Sequence, residues 1–210
     1  MKKLTSLFLA ALSSLVVGCS PEDLELSIPA KALQKAKSGE YGYAEVTVSF
    51  ENDMDSVKEK LGKIKSVVMP YLGPSGKMTV RGDKVTAKFR IPVVAKAAIG
   101  KLAEEPIMQL VLDKGKLELS ETSRLQSLNN ALSGVDFSLD VDLKASHVVF
   151  KVVGDEATSC KVKATAVFVD GEPFVTFQKA VMTDESVDIE FRCDDDASVY
   201  HQIKPFIEIQ

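Results

Sequence analysis

Ser159-Cys-Lys-Val-Lys-Ala-Thr-Ala-Val-Phe-Val169 runs through Asp170-Gly171 into Glu172-Pro-Phe-Val-Thr-Phe-Gln-Lys-Ala-Val-Met182. Two stretches of alternating pattern flank a dipeptide suited to a tight turn, which is the signature of a β-hairpin. The same texture extends on both sides. Residues 135–143, 147–153, 159–169, 173–182, 186–193 and 199–209 all read as strands. Strand pattern recurring every 8–12 residues predicts a β-rich antiparallel C-terminal region, residues 116–210, built as a sandwich or a broad antiparallel sheet.

Toward the N-terminus the pattern is mixed. Leu24 to Ile28 alternates, Pro29 opens a short helix closed by Gly39, and Tyr43 to Phe50 alternates again. Met54, Val57, Leu61, Ile64 and Val68 recur at spacings of three and four, which predicts one long helix over about 53–70 with Asn52 or Asp53 as its cap. A hairpin follows, Met78–Val80 and Val85–Ile91, turning at Gly82-Asp83. Pro92–Leu102 reads as a short helix, and 107–112 with 117–119 as a second hairpin. Glu121–Leu132 reads as a helix with Leu125, Leu128 and Leu132 on one face. The fold class is α+β, with a mixed region over 24–115. Leu24-Glu-Leu-Ser27 returns as Leu117-Glu-Leu-Ser120, a faint echo that would place a duplication boundary near 113–117.

The first nineteen residues have a different character. Lys2 and Lys3 precede an apolar run, Leu4–Val17, which ends in Val16-Val17-Gly18-Cys19. The run fits the roughly 7–15 residues of a secretory core better than the roughly 20 of a membrane span. Its ending resembles the lipobox of bacterial lipoproteins. That resemblance implies a signal peptide over 1–18, acylation of Cys19 and a lipid-anchored tether over 19–23. In a Gram-negative cell, Ser20 after the cysteine implies the outer membrane, with the domain facing the periplasm. Four extended residues reach about 14 Å, so the domain should sit close to the bilayer.

Hydrophobic residues make up 45% and charged residues 27%, as in ordinary globular chains. The net charge of −4 lacks the basic footprint of a nucleic-acid binder. Beyond Cys19 the cysteines are Cys160 and Cys193, an even pair that an oxidising compartment would join in a disulfide.

Catalytic patterns are weak. Gly76-Lys77 lacks the first glycine and the Ser/Thr of a phosphate-binding loop, because Tyr71 and Met78 stand there. Arg81-Gly82-Asp83 is explained by a tight turn. His147 and His201 lie in strand pattern with no serine elbow for either to serve. Asp136, Ser138, Asp140 and Asp142 share a strand face, and Asp194–Asp196 form a second acidic group, but neither has the spacing of a calcium loop. No catalytic residue, metal ligand or cofactor is expected. The favoured function is a non-enzymatic binding or structural role in the cell envelope. Its partners would be the membrane, through the anchor, and an envelope protein or ligand. A carrier of a lipid or other apolar ligand, and a hydrolase with an unrecognised site, are the alternatives.

Overall fold

A computed structural model describes residues 22–51, 55–82, 84–102, 104–136, 139, 141, 147–155, 158–192 and 206–209. Its strands are β1 (Asp23–Pro29), β2 (Gly42–Glu51), β3 (Lys77–Arg81), β4 (Lys84–Ala95), β5 (Met108–Asp113), β6 (Lys116–Glu121), β7 (His147–Val153), β8 (Cys160–Val169), β9 (Glu172–Val181), β10 (Ser186–Arg192) and β11 (Phe206–Ile209). The helices are α1 (Ala30–Lys37), α2 (Asp55–Val68) and α3 (Ser123–Ser133).

The α+β class is observed, but the sandwich is not. Nine strands follow the order β10-β7-β1-β2-β4-β5-β6-β11-β8, and β10 pairs with β8 to close the ring. The β1–β7 and β4–β5 pairs are parallel, and the others antiparallel. A sandwich and a barrel both bury alternate residues, so alternation cannot distinguish them. Two long strands decide for the barrel by sharing one edge between two partners. Lys84–Lys88 of β4 pairs with β3 and Val93–Ala95 with β5. In β8, Val162–Thr165 pairs with β11 and Phe168–Val169 with β10. Between those segments Ala166 takes φ +54° and drops out of the β9 ladder, a bulge that bends the strand.

The register carries one apolar face around the ring. Leu26 stands between Val46 and Phe150, Ile28 beside Val152, Phe150 opposite Ile189, and Ile189 opposite Val169. These side chains belong to one buried cluster, which Ala32, Leu33 and Ala36 of α1 and Leu125, Leu128 and Leu132 of α3 join. Gly42 seats α1, since a β-carbon there would fall 2.5 Å from Ala32 Cα. Thr122 caps α3 by accepting a hydrogen bond from Arg124 N–H.

Other expectations need correction. Residues 92–102 are not helical at first, because β4 continues to Ala95 and only a 3-10 turn, Lys96–Ala98, follows. Ile91, Val93 and Val94 are fully buried, and such β-branched side chains suit a sheet. The expected strand at 135–143 is absent from its described residues. Instead the Asn129 side chain donates to Val141 O and accepts from Val141 N–H, tying that segment to α3. Apart from these corrections, residues 115 and 116 belong to the β5–β6 hairpin, whose turn places Lys114 and Gly115 at positive φ. The two ends of the echo pair differently, β1 with β2 and β7, β6 with β5 and β11. Among the described residues no helix is long and apolar enough to cross a membrane.

Candidate functional site: a basic groove on the outer sheet

The outward face of β2, β4 and β3 forms a groove of about 510 Å³, lined by Thr47, Lys77, Thr79, Arg81, Lys84, Thr86 and Lys88. Period-two geometry explains the composition, because alternate residues of a strand share a face. Lys77-x-Thr79-x-Arg81 lies antiparallel to Lys84-x-Thr86-x-Lys88, with Lys77 opposite Lys88, Thr79 opposite Thr86 and Arg81 opposite Lys84. Thr47 of β2 stands opposite Lys88 on the other side. The result is four cations interleaved with three hydroxyls, and no carboxylate among the lining residues.

Lys84 is committed to neighbours. Its Nζ lies 3.2 Å from Asp23 Oδ2 and 3.6 Å from Glu22 Oε2. These contacts raise its pKa, the Asp23 hydrogen bond contributing most. Burial alone would raise the Asp23 pKa, but hydrogen bonds from His147 and Lys84 outweigh it and hold the carboxyl below its usual value. Asp23 therefore contributes stability above its ordinary titration range, and that contribution is lost as pH falls through the depressed value. Lys77, Arg81 and Lys88 form no ion pair among the described residues, and all three are exposed.

Lys77 and Arg81, met in sequence only within the Gly76-Lys77 and Arg81-Gly82-Asp83 motifs, line this groove, whereas the histidines, acidic residues and cysteines singled out from sequence are not among its lining residues. His147 Nδ1 is 3.2 Å from Asp23 Oδ1 and its Nε2 is 3.3 Å from Glu190 Oε2. Both ring nitrogens face carboxylates, so neither is left to activate a nucleophile. Asp136 accepts a hydrogen bond from Lys60 Nζ at 2.6 Å, which makes it a structural ion-pair partner. Ser138, Asp140, Asp142, His201, Asp194–Asp196 and Cys19 lie outside the described residues. Among the described residues no group of His, Cys, Asp or Glu could hold a metal ion.

Cys160, for which a disulfide with Cys193 is expected, is a free, buried thiol in this structure. Burial raises its pKa, so the native thiol is a poor nucleophile at neutral pH. Cys193 lies outside the described residues.

Reading the β3–β4 hairpin for its turn alone missed the groove. The signal was the cation–threonine alternation of the two strands, which becomes one surface only once the hairpin register is known. Compared with known proteins, the chain matches no family model, no curated protein sequence and no solved structure.

Proposed function

We propose that the protein is a lipid-anchored module of the cell envelope that binds an anionic partner through the groove of β2, β4 and β3. The observation that carries this reading is the set of three exposed cations without ion-pair partners among the described residues, gathered beside three threonines on a chain of net charge −4. Ammonium and guanidinium groups attract oxyanions, and hydroxyls complete their hydrogen bonding. No lining side chain is an imidazole or carboxylate suited to proton transfer, which favours binding over catalysis. A carrier would need an apolar cavity, whereas the inward side chains of the ring pack into one cluster. The anchor rests on the lipobox-like run ending at Cys19.

Two outcomes are expected. Protein extracted from its own membrane should begin at Cys19 and carry acyl mass there, and Cys19→Ser should abolish partitioning into detergent. An unmodified Cys19 would refute the anchor. Independently, detergent-solubilised wild-type protein should bind inorganic polyphosphate in a salt-sensitive manner. The Lys77→Glu/Lys88→Glu variant should lose that binding by about tenfold or more while unfolding at the same temperature, since both residues are exposed. Equal binding by both proteins would reject the groove as the site.

A further inference from the structure

The groove sits beside the point where the tether joins the barrel, and the strand register fixes that relation. Asp23 pairs with Ser49, Ser49 with Thr86, and Thr86 with Thr79, so one row of residues links the start of β1 to the middle of the groove. Arg81 and Lys84 lie two residues beyond that row, on the side from which the chain arrives at β1. Lys84 also contacts Glu22 and Asp23 directly. From β1 to β3 is three strand spacings, about 14 Å. Residues 20–23 span at most about the same distance. A barrel tied at Cys19 thus carries its free cations within about one tether length of the lipid surface.

We propose that Lys77, Arg81 and Lys88 receive the anionic headgroups of the bilayer that holds the anchor, turning the β3–β4 edge toward the lipid. This rests on the anchored, anion-binding reading above and names its ligand. Charge complementarity selects the orientation. A chain of net negative charge is repelled overall by an anionic surface, and the basic groove is a face beside the tether that can approach it. The acyl anchor supplies proximity and the groove a second, electrostatic contact. Two weak membrane signals then act together to fix position and tilt. The threonines offer donors to headgroup oxygens between the cations.

The test uses the full lipidated protein, reconstituted into vesicles of neutral phosphatidylcholine or of phosphatidylcholine with phosphatidylglycerol. A brief pulse of an amine-acetylating reagent, read by mass spectrometry, reports the exposure of each lysine. Lys35 and Lys37, exposed on α1 beyond the far end of β1, serve as internal controls. Labelling of Lys77 and Lys88 is expected to fall about fivefold or more in the anionic vesicles relative to the neutral ones. High salt should restore it, and the control lysines should not change. Equal labelling of Lys77 and Lys88 in both vesicles overturns the proposal. If polyphosphate in detergent still protects them, the groove remains an anion site and only its membrane ligand is rejected. If neither anion protects them, the binding reading falls as well. Protection of Lys35 and Lys37 instead would show the opposite end of the barrel facing the lipid and would also overturn the proposal.

Discussion

Leu26→Ala is expected to lower the unfolding free energy by about 2–5 kcal/mol, the range for deleting a fully buried leucine. Leu26 has no exposed surface and lies between Val46 of β2 and Phe150 of β7. It therefore sits at the parallel pair through which the N-terminal strand meets the C-terminal half. A closed ring has little freedom to collapse around a missing side chain, so a cavity should persist. The protein has no tryptophan, so urea unfolding is best followed by far-ultraviolet circular dichroism. Glu25→Ala, one residue away on the exposed face, should change stability by less than about 0.5 kcal/mol. If the two variants unfold alike, Leu26 does not face the core.

Gly42→Val should be comparably damaging for the opposite reason, excess volume. Even the first added carbon would meet Ala32 at its carbonyl oxygen, at Cα (2.5 Å) and at Cβ (2.6 Å). The obstacle is mostly helix backbone, which no side-chain rotation can move aside. Overpacking costs about 1–3 kcal/mol and sometimes more, and here the cost includes displacing α1 with Leu33 and Ala36. Hydrogen exchange should show α1 losing protection before the strands do. Protection of α1 equal to wild type would mean that the helix does not rest on Gly42.

The elements legible in the sequence were those whose pattern is local. The burial alternation of β1 and the buried face of α3 followed directly from periodicity. The long helix was legible too, as α2 over Asp55–Val68. Its buried stripe was only partly so, because Ile64 is buried while Leu61 and Val68 are half-buried. Leu61→Ala should accordingly cost less than Leu26→Ala. What local pattern could not supply was which strands meet. Nothing in Leu24–Ile28 announces Val148–Val152 as its parallel partner, and nothing in β10 announces its contact with β8, where Ile189 stands opposite Val169. Those pairings distinguish a ring from two sheets. The groove was hidden for the same reason. Each cation was visible, but their convergence on one face depends on pairing across β2, β4 and β3.

The β1–β7 pairing also bears on how the chain reaches its folded state. Asp23 and His147 are 124 residues apart, yet they lie side by side at one end of the ring. Ile207, almost the last residue, pairs with both β6 and β8. β1 and β2 can meet early, but the ring cannot close until the final strand has been delivered. Contacts of such long range are formed slowly, because the intervening chain must be ordered first. A chain exported N-terminus first, as the run ending at Cys19 implies, would present its first strand to the far side of the membrane long before its last. Closure would then await the end of transport. In a chain so exported, the topology would delay folding during passage, keeping the chain threadable until β11 emerges.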